Sequence, residues 1–599
     1  MNEQIRERLA RLRAAMAKKH IDYCLIPTAD CHNSEYVADH FKTREYFCGF
    51  TGSNGTLVVS YDAAGLWTDG RYFIQADREL EGTGVELFRM ADEGVPTINE
   101  YLRDRVKAGE TLGFDGRVVS ASLGRELEKD LEKAGARLAC DFDPAEAWPD
   151  RPALPVHDLF VIGDDLAGRS VPQKLEEVRE KLAKKNAQAL MLSSLDDICW
   201  LYNIRGNDVE CNPVALAYTW VGKERAVLFI QSAEVTGPVR AHLEGAGVEI
   251  REYGELMSFL EGMDLADTSV LFDPARTGYG VMKLLSAGRD NREEHSPTLL
   301  LKAVKNDTEL KNIRRVYLED SAVLCRFIYW VKMNAGKTEM TELSAGARID
   351  AMRAEVPGFI ELSFPTICAY NANAAMMHYE ASEKCNAQIG ASGMLLVDSG
   401  GTYMGGTTDV TRTIVLGKIS DEIRRQYTAV TAGMLRLANA RFLKGCTGRN
   451  LDILARGPVW DMDMDYKCGT GHGIGYILNV HEGPHNIRWR GIPGEKEAEL
   501  LPGMIVSDEP GVYIENSHGI RVENILEVVS GAKNGDGQFL HFEHLTWAPI
   551  DLLGIDASLL MPREREWLNS YHEEVYRRVS PLIDEPEIRE WLRDATAAV

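Results

Sequence analysis

The sequence predicts an α+β protein in which two related α/β domains precede a larger domain of antiparallel strands flanked by helices. Two observations predict it. A helix-then-strand pattern occurs twice, once on each side of a proline-rich segment. The C-terminal half then carries two acidic hairpins punctuated by glycines.

The elements follow in order. Ile5, Leu9, Leu12 and Met16 recur at helical spacing, and Tyr23-Cys24-Leu25-Ile26 reads as the strand after them. Prolines 149, 152 and 155 mark a linker. Beyond it the pattern returns as a helix over roughly 172–185 and a strand at Ala189-Leu190-Met191-Leu192. The segment from Glu45 to Gly52 is echoed from Cys199 to Gly206, and Thr56-Leu57-Val58-Val59 by Ala217-Tyr218-Thr219-Trp220. The pattern therefore predicts a duplicated domain over 1–155 and 156–300. A second boundary falls near His295-Ser296-Pro297. Asn306-Asp307-Thr308-Glu309 then has the form of a helix start with a capping acid three residues on. The helix that follows should bury Leu310, Ile313, Val316, Val323 and Ile328. This third domain runs over 301–599, with a helix at roughly 421–442 and a C-terminal extension over about 540–599. In the extension, Phe542, Leu545 and Trp547 precede helices near 563–579 and 586–596, and its aromatic residues predict packing rather than disorder.

Composition narrows the function. The formal charge of −24 opposes a phosphate backbone, so nucleic acid is not expected as a partner. No apolar run approaches the ~20 residues that span a bilayer, and the charged N-terminus does not resemble a signal peptide. The 11 cysteines are odd in number and contain no Cys-x-x-Cys pair, which points to a reducing cytoplasm and not to a disulfide scaffold or zinc ribbon. The glycine-rich runs lack Gly-Lys-Ser/Thr and the full dinucleotide fingerprint.

Five residues carry the chemistry. A short buried strand ends at Asp398, glycine pairs at 400–401 and 405–406 bracket a turn, and a Thr- and Val-rich strand returns through Asp409. A midpoint between residues 403 and 404 sets Asp398 opposite Asp409 on one face. Two facing like charges destabilise a hairpin unless a cation lies between them. Glu509 and Glu523 repeat the arrangement about the polar turn Asn516-Ser517-His518-Gly519. His472 sits in the run Gly469-Thr470-Gly471-His472-Gly473, where small neighbours permit close approach. With 91 acids in the chain, one acidic pair would read as solvated surface; two hairpins and a glycine-framed histidine do not. Carboxylates with one imidazole suit Mn, Co, Fe or Zn. Arg521, two residues before Glu523, should share its face as a neighbouring cation, either in a structural salt bridge or in contact with substrate. The run His481-Glu482-Gly483-Pro484-His485 matches His-Glu-x-x-His, but Gly-Pro at its centre breaks the helix that motif requires.

These segments, together with Asn479-Val480-His481-Glu482-Gly483-Pro484 and Gly519-Ile520-Arg521-Val522-Glu523-Asn524, resemble the motifs of the pita-bread metallopeptidases. The likeness is nearest to the long, three-domain form of aminopeptidase P and extends over essentially the whole chain, including Trp67-Thr68-Asp69-Gly70-Arg71. It implies a catalytic pita-bread domain holding two divalent ions, manganese or alternatively cobalt, zinc or iron. Asp398 would bind one ion, Asp409 and Glu523 would bridge, and His472 and Glu509 would hold the other. It implies hydrolysis of the N-terminal Xaa-Pro bond of peptides by a metal-bridging hydroxide, with Glu509 moving the proton, in a cytoplasmic homodimer. By the same likeness His378 and His481 face the substrate, and one or the other would stabilise the oxyanion together with the metal. Cys468 stands where many relatives carry a histidine beside the residue after the scissile bond. Its thiol is smaller and ordinarily neutral, which alters the hydrogen bond made there. A prolidase-type dipeptidase and a non-catalytic pita-bread module that binds proteins are the alternatives, and retention of all five ligands opposes the second.

Overall fold

The computed structural model describes residues 2–288, 290–491 and 497–599. The first helix, Asn2–Lys19, buries Ile5, Leu9, Leu12 and Met16, with Glu3 in its first turn and two lysines in its last to complement the dipole. Tyr23–Pro27 follows as a central strand, antiparallel to Thr56–Ser60 and parallel to Thr111–Gly113. The first sheet runs Glu86–Arg89, Ala64–Thr68, Thr56–Ser60, Tyr23–Pro27, Thr111–Gly113, Arg137–Ala139. The second runs Val248–Glu252, Ala226–Ile230, Ala217–Gly222, Ala189–Leu192, Val270–Phe272, Arg292–Glu293. Strand order and every parallel or antiparallel pairing coincide between the two sheets. The α/β unit is thus duplicated, and Thr56–Ser60 and Ala217–Gly222 occupy equivalent places in it.

The chain forms two compact units, Met1–Asp164 with Arg169–Leu299, and Asp165–Gly168 with Leu300–Val599. The second opens on the helix Asp307–Asn334, where Asn306 caps the Thr308 and Glu309 amides and Glu309 returns to the Asn306 amide. That helix buries the five expected apolar residues. The helix Asp421–Ala438 is shorter than the expected 421–442, because the chain turns at Asn439 into the strand Arg441–Leu443. The six-stranded sheet of this unit runs Arg441–Leu443, Gly537–His544, Asn524–Asn534, Ile505–Asp508, Gly471–Gly473, Glu482–Ile487. Its last strand begins inside the His-Glu-x-x-His match, so that segment is extended and not helical. Helices Pro562–Val579 and Pro586–Ala595 close the chain, with Leu568, Val575 and Leu592 buried in the same core as Phe542.

One register differs from expectation. Met394–Ser399 pairs with Val410–Val415 so that Asp398 faces Thr411, not Asp409. The turn is the two residues Met404-Gly405, closed by Tyr403 opposite Gly406, and Gly405 has φ +133°, which glycine adopts readily. The true midpoint lies one residue later than the glycine pairs suggest, which slides the pairing by two. Because side chains alternate with period two, Asp409 keeps to the Asp398 face, as a diagonal neighbour.

Candidate metal centre

Both acidic hairpins lose their ladder where the ligands stand. In the first, pairing stops at Ser399–Val410 and resumes at Thr402–Thr407, leaving Asp409 in the gap. In the second, Asp508–Asn524 and Gly511–Arg521 share one register, and the interruption between them sets Glu509 opposite Glu523. The released amides bond elsewhere. Glu509 N donates to Thr470 O at 2.8 Å, and Glu523 N to Thr411 O at 3.2 Å. The breaks therefore tie the second hairpin to the segments that carry His472 and Asp409.

His472 is fixed at both ends. Its amide donates to Ser507 Oγ at 2.9 Å, and that hydroxyl donates to Glu509 Oε1 at 3.0 Å. Nδ1 lies 2.9 Å from Gly473 O, which assigns it a proton and turns Nε2, the nitrogen available to a metal, towards the acids. Nε2 stands 3.3 Å from Glu509 Oε1 and 3.5 Å from Asp409 Oδ2. Asp409, His472 and Glu523 each present a ligand atom within 4.8 Å of the others. Asp398 completes the acids, with Oδ2 2.5 Å from Arg521 Nη2.

The donors fit divalent cations. Asp398 Oδ1 and Glu523 Oε1 are buried with no hydrogen-bond partner among the described residues. Burial raises the Asp398, Glu509 and Glu523 carboxyls above their usual range, and Asp409 raises Glu523 further. Burial alone would depress the His472 imidazole, but the Asp409 and Glu509 carboxylates lift it to about 9. Four carboxylates around a single arginine leave negative charge that metal ions would neutralise.

The remaining candidates lie around this cluster. The His481 ring meets His472 edge to face at 4.4 Å between centroids, and the His481 amide is held by Asn479 Oδ1 at 2.9 Å. His378 is partly buried between Met377 and Tyr379, and Arg521 Nη2 reaches the Met377 carbonyl at 3.4 Å. Arg521 also donates to Tyr513 Oη at 2.7 Å and Thr411 Oγ1 at 2.9 Å. Cys468 is partly exposed, and its carbonyl accepts from Arg456 Nη2 at 3.1 Å. Arg456 is in turn fixed by Asp452 at 2.7 Å and lies 3.8 Å over the Tyr466 ring. Sequence reasoning missed Thr411, Ser507 and Tyr513. Thr411 and Ser507 lie two residues from Asp409 and Glu509, so same-face spacing from a ligand was the signal that could have found them.

Comparison with known proteins supplies the family. Residues 8–146 and 150–309 each match a creatinase/prolidase N-terminal domain, 311–530 match metallopeptidase family M24, and 538–599 match the C-terminal region of peptidase M24. A probable Xaa-Pro aminopeptidase P of Botryotinia fuckeliana is 36% identical over 98% of this chain and 92% of its own length. Aminopeptidase P2 of Arabidopsis thaliana is 35% identical over 96% of this chain and 86% of its own. The X-prolyl aminopeptidase structure from Caenorhabditis elegans, described as a cytosolic enzyme with a di-nuclear active site, matches with a TM-score of 0.94 and 34% identity over 99% of both chains. A Pyrococcus horikoshii prolidase covers only 63% of this chain, at 20% identity and a TM-score of 0.50. Likeness over the full length, C-terminal region included, decides the matter: the chain belongs to the Xaa-Pro aminopeptidase P family of M24 metallopeptidases.

Proposed function

We propose that the chain is a two-metal aminopeptidase that releases the N-terminal residue of peptides whose second residue is proline. The observation that carries this is the convergence of Asp398, Asp409, His472, Glu509 and Glu523, with unpartnered carboxylate oxygens on Asp398 and Glu523. Asp398 would hold one ion, Asp409 and Glu523 would be shared, and His472 and Glu509 would hold the other. Two divalent ions bound there supply Lewis acidity for the scissile carbonyl and an acidified attacking water.

The chain's own residues do the rest. Glu509, oriented by Ser507, takes the proton from the attacking water and returns it to the proline nitrogen as the C–N bond breaks. His481, set against His472, and His378 donate to the developing oxyanion. Arg521 holds Asp398 in place. By the family resemblance, Cys468 would face the proline side of the substrate.

Carboxylate oxygens outnumber the single imidazole, which favours manganese as the native metal. A cytosolic homodimer follows the family resemblance and the cytosolic description of the Caenorhabditis elegans enzyme. Domain limits at 1–155, 156–300 and 301–599 are part of the same reading. The test is a digest of Xaa-Pro dipeptides and Xaa-Pro-Yaa peptides with chelator-stripped and manganese-reloaded protein. Cleavage of the tripeptides, restored by manganese, is expected; cleavage of dipeptides alone would transfer the chain to the prolidase reading.

A further inference from the structure

Arg412 lies in the strand Val410–Val415, three residues beyond Asp409, and is 1% exposed. Its Nη1 donates to Thr411 O at 2.9 Å and to Glu523 O. Those carbonyls belong to the two ligand hairpins, one from each. The same junction is closed by Thr411 Oγ1, which donates to Glu523 Oε2 at 2.8 Å. Nη1 therefore bridges the strand leading from Asp409 and the backbone of Glu523 itself.

The other edge of the guanidinium faces the C-terminal region. Nε donates to Pro549 O at 3.1 Å, and Nη2 to Ala548 O at 2.8 Å and Asn524 Oδ1 at 2.8 Å. Nη2 also lies 3.0 Å from Tyr571 Oη, on the helix Pro562–Val579. Tyr571 Oη in turn lies 2.9 Å from Ala548 O. These six partners are carbonyls, an amide oxygen and a phenol; none is a carboxylate. A buried arginine bonded in this way is not half of an ion pair. It is a planar five-donor fork whose edges are fixed by different parts of the chain. Because the fork is rigid, holding one edge orients the other.

We propose that Arg412 is a positioning residue for the metal centre, and that the C-terminal region, through Ala548, Pro549 and Tyr571, sets the separation of Asp409 and Glu523. The inference rests on the two-metal reading. The C-terminal helices then contribute to metal affinity without supplying a ligand. Removing a partner that orients ligands typically lowers metal affinity ~10- to 100-fold. A merely structural Arg412 would instead lower the melting temperature and leave the affinity of the folded protein unchanged.

The experiment uses full-length, chelator-stripped wild type, Arg412→Lys, Tyr571→Phe and the double variant. Each is titrated with Mn²⁺ by calorimetry, with melting temperatures recorded alongside. Wild type is expected to bind two ions. Lysine keeps the charge but loses the fork, so Arg412→Lys should weaken at least one ion by ~10-fold or more. Tyr571→Phe should weaken it less, and the double variant should be no weaker than Arg412→Lys, because Tyr571 acts through Arg412. Wild-type affinity for both ions in Arg412→Lys and Tyr571→Phe overturns the proposal whatever their melting temperatures, and so does simple additivity in the double variant. If Arg412→Lys does not fold, Tyr571→Phe decides alone. Wild type that binds no Mn²⁺ overturns the metal reading as well; wild type that binds two beside unaffected variants overturns only this inference.

Discussion

Arg521 and Asp398 divide one carboxylate between two tasks. Nη2 of Arg521 holds Oδ2 at 2.5 Å, while Oδ1 is buried with no hydrogen-bond partner among the described residues. The aspartate is oriented through one oxygen and presents the other. Glu523 shows the same division, with Oε2 held by Thr411 and Oε1 left open. Each acid is locked in direction before any cation arrives, which limits the entropy lost on binding.

Metal content follows from that geometry. Wild-type protein should carry two divalent ions per chain by plasma emission analysis. Asp409→Asn should lose both, since a shared carboxylate is removed, and Asp398→Asn should weaken mainly one. Metal-free protein whose activity ignores chelators would sink the two-metal assignment.

Glu509→Gln should keep the fold and much of the metal while turnover falls ~10²- to 10⁴-fold. The amide oxygen still accepts from Ser507, so the His472–Ser507–Glu509 chain survives, but the group no longer takes a proton. Near-wild-type turnover, measured by stopped assay at saturating substrate, would leave Glu509 as a ligand only.

Cys468→Ser should change KM more than kcat if the residue acts only on the proline side, where it would contribute uniform binding. Cys468→His should approach the behaviour of relatives that carry histidine there. A nucleophilic thiolate predicts the reverse, with Cys468→Ser inactive and alkylation inactivating in step with labelling of that residue. The variant must be alkylated in parallel, since 10 of the 11 cysteines lie elsewhere.

Acid should destabilise the catalytic unit through His572. This imidazole is fully buried, and Nε2 accepts from the Ile550 amide at 3.1 Å, a bond that protonation breaks. Burial, assisted by the Arg412 cation, pushes it down to about 3. The unfolded chain takes up this proton near pH ~6.5. The stabilisation is therefore complete above that pH and is lost as pH falls towards about 3. His572→Gln should flatten the acid limb of guanidinium midpoints recorded between neutral pH and pH 4; an unchanged slope would assign acid sensitivity to other groups.

The duplicated domain was legible because each copy repeats its helix–strand alternation and the segment from Glu45 to Gly52 is echoed from Cys199 to Gly206, and the two sheets have one strand order. The ligand hairpins were legible because acids set about equally far on either side of a turn share a face. The first register was misread because a sequence shows where glycines are, not which one adopts positive φ; both pairs looked alike, and Gly405 is the one that does. Arg412 was illegible for a different reason. Its partners Ala548 and Tyr571 lie 136 and 159 residues away, and no local pattern encodes a hydrogen bond at that range.

The common register on both sides of Glu509 and Glu523 has a consequence for how this protein tolerates length change. The turn at Asn516 lies between strands that must both direct a carboxylate inward. Inserting one residue there would swing Glu523 to the outer face and bring Val522 or Asn524 to the metal, while inserting two would restore the facing at the cost of a longer loop. Insertions and deletions in this turn should therefore be accepted only in steps of two, a counting rule that a library of turn lengths, scored for metal uptake, would display directly.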